Sequence, residues 1–352
     1  MCIRDRYNTN KIVLSWYDSN KRILPWRESS DPYMIWISEV MLQQTQVNTV
    51  IPYYIRWIKN YPTIKSVAKA DINSLLKLWE GLGYYSRCRN FHKASQIVEK
   101  KYNGNIPDEY SLFHELPGVG DYIAGAVMSI AYNKNYPAVD GNLNRVLSRY
   151  LGIKNLTKRN KLRIQNQIKK LIAYQRPGEI NQALMDIGSL LCRPNEALCL
   201  KCPLIDNCKG YASGSPITYP LKNKRKSTPT KKFVAGFITN KNKILINHRK
   251  HDGLLGGLWE LPITEISNNC SRIDAMKKYV KSKYGFSVNI INQFDNVKHS
   301  YSHYKLLVTL FMCELKHTRS EVGHWINIDE IDQYAFSKIN HKLFDIIGVK
   351  NF

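Results

Sequence analysis

The sequence predicts a mainly helical domain followed by a smaller α+β domain, on three observations. From Tyr7 to about Tyr211, apolar residues recur at three- and four-residue steps, the period of one helix face. Around 212–231, S-G-S-P and P-L-K-N-K-R-K-S-T-P-T-K-K mix Pro, Ser, Thr and Lys without a period, which reads as an extended basic linker. Over 232–352 the grammar changes to β-prone runs: K-F-V-A-G-F-I-T and K-I-L-I-N-H-R flank an N-K-N turn, and Y-K-L-L-V-T-L-F-M-C-E-L follows later.

In the first domain, Pro32 to Tyr61, Asn73 to Tyr84 and Arg87 to Lys101 carry the helical stripe. Helical pattern returns in the second domain at Asp274 to Tyr284 and from Ser337. The opening M-C-I-R-D-R fits no element and is left outside the domain.

The 352 residues are 43% hydrophobic, enough for two buried cores. No run approaches the roughly 18 apolar residues that span a bilayer, and the N-terminus lacks a secretion core, so a cytoplasmic monomer is expected. The formal net charge of +24 attracts phosphate polyanions and makes nucleic acid the first partner to test, with a location at the nucleoid. A Lys- and Asn-rich composition also follows from an AT-rich genome, so charge alone does not decide.

Of eight cysteines, four crowd into Cys192-x6-Cys199-x2-Cys202-x5-Cys208. Clustered thiolates in a reducing compartment read as a metal site, either tetrahedral zinc or an iron–sulfur cubane. The unequal outer gaps suit the cubane better, and both remain open on spacing. Cys2, Cys88, Cys270 and Cys313 are ordinary thiols.

Four further motifs carry chemistry. In L-P-G-V-G, Pro117 stops a helix, and Gly118 and Gly120 permit positive φ or close backbone approach before Asp121 to Ile130 restart one; helix-start amides there can bind phosphate. Asp140 in V-D-G-N stands where a helix N-cap belongs, and amides at that start would hold it ionised. Glu39 falls on a helical stripe with Gln43 and Gln46, in a neutral Q-Q-T-Q stretch that suits base reading; a solvated polar face is the alternative. In G-L-G-Y-Y-S-R, Tyr84 and Tyr85 beside Arg87 can fill an opened base stack and neutralise phosphate, with core packing the alternative for one tyrosine.

Together S-E-V-M-L-Q-Q-T-Q-V, G-L-G-Y-Y-S-R, L-P-G-V-G-D-Y, V-D-G-N and the four-cysteine spacing resemble the helix-hairpin-helix DNA glycosylases with an iron–sulfur cluster, and among them the MutY-type adenine glycosylases. The resemblance spans nearly the whole chain. It implies a helical glycosylase domain over 7–211, with its hairpin at 112–130 and its cluster loop at 192–208. A basic linker over 212–231 and a MutT-like domain over 232–352 follow.

The same resemblance implies a [4Fe-4S] cluster on Cys192, Cys199, Cys202 and Cys208, and an alkali cation at the hairpin. It implies adenine removal from double-stranded DNA holding an A·8-oxoguanine or A·G mispair. Glu39 is then the proton donor to N7, Asp140 stabilises the sugar cation, Tyr122 bonds to the pair and Asn142 orients Asp140 or the water. Gln43 faces the bases, Gln44 and Tyr84 enter the stack, Arg87 meets phosphate, and Gly118 and Gly120 supply phosphate-binding amides.

The endonuclease III branch carries a strand-cutting lysine where this chain has Tyr122, which cannot form a Schiff base, so base removal without strand cleavage is implied. In the second domain K-H-S-Y-S-H-Y matches the family loop that contacts 8-oxoguanine, with Tyr301, Ser302 and His303. Ser302 is the contact residue, and Tyr301 stands where Phe is commoner. G-L-L-G-G-L-W-E-L-P echoes a Nudix fold, yet D-A-M-K-K-Y-V-K-S-K replaces the acidic helix that binds magnesium, so pyrophosphate hydrolysis is not expected. The rival readings are a pyrimidine-damage or mismatched-thymine glycosylase of the same fold, and a non-catalytic DNA-binding iron–sulfur protein.

Overall fold

The computed structural model describes residues 3–221, 228–267, 271–301, 303–316 and 322–349. The chain forms two compact units, one from residues up to 69 with 90–224, the other from 70–89 with 225 onward.

The first unit is helical. It opens with α1 (Ile3–Asn20), α2 (Pro32–Leu42), α3 (Val47–Asn60) and α4 (Ile64–Lys69). The second unit then takes α5 (Ile72–Leu78) and the first turn of α6 (Ser86–Tyr102). The remainder of α6 returns to the first unit with α7 (Tyr110–His114), α8 (Asp121–Ile130), α9 (Gly141–Leu151), α10 (Lys158–Ile172), α11 (Pro177–Leu190) and the short α12 (Lys209–Ala212). Residues 3–6, assigned to no element from sequence, form the first turn of α1.

The expected helical stretch Pro32 to Tyr61 is broken. α2 ends at Leu42, Gln44 takes a left-handed φ of 57°, and α3 begins only at Val47. Q-Q-T-Q has no apolar member to hold the helix on the core, and Glu39, Gln43 and Gln46 therefore do not share one continuous stripe.

α1, α8, α9, α10 and α11 enclose a common core around Leu147, Ile168 and Leu184, all fully buried. α2 is fixed by Trp36, whose ring meets Phe91 of α6 and Phe113 of α7 edge-on, each with centroids 4.9 Å apart.

The second unit is built on one mixed sheet: β1 (Thr230–Asn240), β2 (Lys243–His248), β3 (Trp259–Glu260), β4 (Ile263–Ile266), β5 (Val288–Gln293), β6 (Val297–Ser300), β7 (Lys305–Leu315) and β8 (His324–Asn327). The central pair β1 and β7 runs parallel from Thr230↔Lys305 to Thr239↔Glu314, and their other neighbours pair antiparallel.

Strand alternation sends Val234 and Ile238 to a core with α13 (Arg272–Tyr284), and Ala235 and Phe237 to a core with α14 (Lys338–Ile346). Residues 70–89 join this unit through Glu80, which accepts from the Phe336 amide at 2.6 Å and from Lys77 at 2.7 Å and lies 2.9 Å from His341 Nε2. Among the described residues no helix is long and apolar enough to cross a membrane.

Because Trp36 is 1% exposed and wedges α2 between two rings, Trp36→Ala is expected to cost the helical unit about 3–5 kcal/mol in denaturant unfolding followed by far-ultraviolet dichroism. A loss below about 1 kcal/mol contradicts this account of how α2 is held.

Candidate active site

α2 is apolar on nearly every side. Asp31 caps it through the Tyr33 amide at 2.7 Å, Pro32 opens it, and Tyr33, Ile35, Trp36, Ile37, Val40 and Met41 are all buried. Glu39 lies in this helix and is only 5% exposed, so the solvated-face alternative does not hold. A buried carboxyl needs a partner. Tyr122, in the first turn of α8, donates its hydroxyl to Glu39 Oε2 at 2.5 Å.

Burial raises the Glu39 carboxyl to about 7; the negative charge of Asp140 pushes the same way, while the Tyr122 bond and the Arg27 charge oppose. The Tyr122 hydroxyl is driven well above the usual phenol range, first by burial and then by the charges of Glu39 and Asp140. It is therefore a donor at neutral pH.

Asp140 is the N-cap of α9. The Leu143 amide donates to its Oδ1 at 2.7 Å and the Asn142 side chain to its Oδ2 at 2.8 Å. Asn142 is itself locked: Arg145 donates to its Oδ1 at 2.8 Å and also to the carbonyls of Gly188 and Cys192, each at 2.7 Å. A Cβ on Gly188 would come within 2.7 Å of Asn142 Cβ, so α11 needs glycine there to approach. The bonds to Asp140 favour its ionised carboxyl, as the helix-start position suggests, but they act against its burial. Burial outweighs them and the carboxyl is raised, with the Leu143 and Asn142 bonds and the Arg145 charge opposing.

Glu39 and Tyr122 line one cavity with Arg22, Trp26, Arg27 and Gln182, and Asp140 is not part of its wall. Those last four residues were missed from sequence. Trp26 and Arg27 sit in a short L-P-W-R turn, and Gln182 is the acceptor for Tyr17 at 3.2 Å.

At the hairpin Gly118 takes φ of 81°, and a Cβ there would stand 2.9 Å from Asn90 Cβ. Gly120 has ordinary extended φ and open space around it, so neither reason foreseen for a glycine applies to it within the chain. It starts α8 with no side-chain cap, which leaves the first amides of that helix to an outside acceptor.

In the second unit Gly83, at φ of 77°, turns the chain so that Tyr84 is 44% exposed while Tyr85 is buried. Arg87 departs from the expected phosphate contact. It is 8% exposed and donates to the carbonyls of Gly83 at 2.9 Å and Leu82 at 3.4 Å, so the turn absorbs it. Tyr84, Tyr301 and His303 line a second cavity, with Arg89 and His299. Ser302 lies outside the described residues, as do Cys2 and Cys270.

On α13, Lys283 donates to the Tyr279 hydroxyl at 2.9 Å. The four clustered cysteines line one pocket with Arg149, which is 2% exposed and donates to Cys192 Sγ at 3.1 Å. Among the described residues no three His, Cys, Asp or Glu side chains converge on a single-ion site.

A family model described as "HhH-GPD superfamily base excision DNA repair protein" matches residues 37–173, and one described as "NUDIX domain" matches 234–345. The chain is 37% identical over 279 residues to the adenine DNA glycosylase of Buchnera aphidicola subsp. Baizongia pistaciae (strain Bp), covering 79% of this chain and 78% of that one. To the adenine DNA glycosylase of Homo sapiens it is 31% identical over 370 residues, covering 89% and 68%. Among solved structures, a thermostable thymine-DNA glycosylase superposes with TM-score 0.55 at 26% identity, covering 60% of this chain and 98% of that one.

A carboxyl this buried should titrate close to neutrality, and Glu39 followed by carboxyl carbon resonance is expected to do so. In Tyr122→Phe the opposing hydrogen bond is gone and the midpoint should rise. A midpoint in the ordinary glutamate range, or a fall in the variant, contradicts the geometry.

Proposed function

The chain belongs to the adenine DNA glycosylase family, and from that premise we propose that it releases adenine from DNA in base excision repair, with Glu39 as proton donor and Asp140 as the fixed negative charge. The observation that carries this reading is the hydrogen bond from Tyr122 of α8 to Glu39, a buried acid in the apolar helix α2 that also feels the charge of Asp140.

Two carboxyls in unlike surroundings suit an acid and an anion. Glu39, raised to about 7, still holds a proton in a large share of molecules near neutral pH and can pass it to N7 of an extruded adenine. The C1′–N9 bond then breaks with its electron pair going to the base, which leaves neutral. Positive charge accumulates on the sugar, where Asp140, steadied by Leu143 and Asn142, opposes it. Water adds at C1′ and gives its proton to solvent. Tyr122 offers no amine for a Schiff base, so the abasic strand stays intact.

The uncapped start of α8 behind Gly118 and Gly120 suits a DNA phosphate, with or without a bridging alkali cation. Gln43 and Gln44, in the left-handed turn after α2, suit base contact and stack filling, as does the exposed Tyr84. The cavity of Tyr84, Tyr301 and His303 supports recognition of 8-oxoguanine or guanine opposite the adenine.

Cys192, Cys199, Cys202 and Cys208 around one pocket support a [4Fe-4S] cluster, which their four thiolates would hold. Bound, the cluster supplies a rigid centre for the 192–208 loop.

A duplex with adenine opposite 8-oxoguanine should lose adenine, with strand breaks only after alkali or heat. Asp140→Asn should slow release by about 10²–10³-fold and leave duplex affinity within a few-fold, because phosphate contacts lie elsewhere. Breaks without alkali, or a variant at the wild-type rate, overturn the reading.

A further inference from the structure

Asp186 of α11 is a fully buried acid that the chemistry above does not use. Its Oδ1 accepts from Arg22 Nε at 2.7 Å and Arg27 Nη2 at 3.0 Å, and its Oδ2 from Arg27 Nη1 at 2.7 Å and the Arg22 amide at 3.2 Å. Arg22 Nη2 adds an ion pair at 2.5 Å. Both arginines are largely buried, with side chains 23% and 13% exposed, and both line the Glu39 cavity. Arg27 is further fixed over the Tyr17 ring at 5.5 Å and by the Arg22 carbonyl at 3.1 Å.

We propose that Asp186 is a positioning residue for adenine release, which clamps Arg22 and Arg27 into the cavity wall and compensates their charge there, so that Glu39 keeps the proton it must donate. The inference rests on the adenine-release reading.

Glu39 is faced by Tyr122 from α8, by Asp140 at the head of α9, by Arg22 and Arg27 from the turn before α2, and by Gln182 of α11. Asp140 disfavours a charged Glu39; Tyr122 and Arg27 favour it. Arg27 is thus the cation that draws the proton away, and Asp186 is the anion bound to that cation. Neutralising Asp186 leaves a positive charge uncompensated in a cavity that screens poorly, and that charge then acts harder on Glu39.

The test is the pH dependence of single-turnover adenine release from an A·8-oxoguanine duplex by the full chain. Release by the wild type should fall as pH rises through about 7, where Glu39 loses its proton. In Asp186→Asn this limb should move down by about one pH unit, so that release at pH 8 falls about tenfold while rates near pH 6 stay within a few-fold.

A variant slowed equally at every pH, with its midpoint unmoved, has lost only a structural clamp, and the proposal is overturned. Should Asp186→Asn not fold, Arg27→Met decides: with the cation gone the midpoint must rise, and an unmoved or lowered midpoint overturns the proposal. A wild-type chain that releases no adenine overturns the functional reading and this inference with it.

Discussion

A carboxyl in the middle of an otherwise apolar helix is costly to fold, and Glu39 is held there by one short hydrogen bond from Tyr122. The rest of the site follows from that constraint. Burial makes the acid hold its proton near neutrality, the neighbouring negative charge of Asp140 reinforces this, and the same burial keeps Tyr122 a donor. Asp140 is buried too, but it accepts from the Leu143 amide and from Asn142 and feels the charge of Arg145, which oppose its rise. The two carboxyls thereby differ in the number of donors aimed at each, which is what the proposed roles of proton donor and anion require.

Local signals in the sequence reached far. The hairpin glycines, the restart of α8 at Asp121, the N-cap at Asp140 and the strand runs at 230–248 and 305–315 are each set by a few adjacent residues, and the fold has them where pattern places them. Tyr84 and Tyr85 divide between surface and core because Gly83 turns the chain between them and the preceding helix.

What escaped the sequence depends on partners far along the chain. Asp186 looks like any acid on a helix until Arg22 and Arg27, some 160 positions earlier, close on it. Arg87 reads as a phosphate ligand until the turn before it claims its donors. The Q-Q-T-Q break is invisible to periodicity, since apolar residues on both sides keep the helical step while Gln44 reverses the backbone. The upward shift of Asp140 is likewise a product of enclosure, which its local capping signal does not reveal.

The account stands most directly on where the two acids lie around an extruded nucleotide. A structure of the chain on a duplex holding an uncleavable adenosine analogue opposite 8-oxoguanine measures this. The account predicts a Glu39 carboxyl oxygen at about 2.6–3.2 Å from N7 and the Asp140 carboxyl on the C1′ side of the sugar. An extruded adenine whose N7 meets another group, with Glu39 out of hydrogen-bond reach, contradicts it.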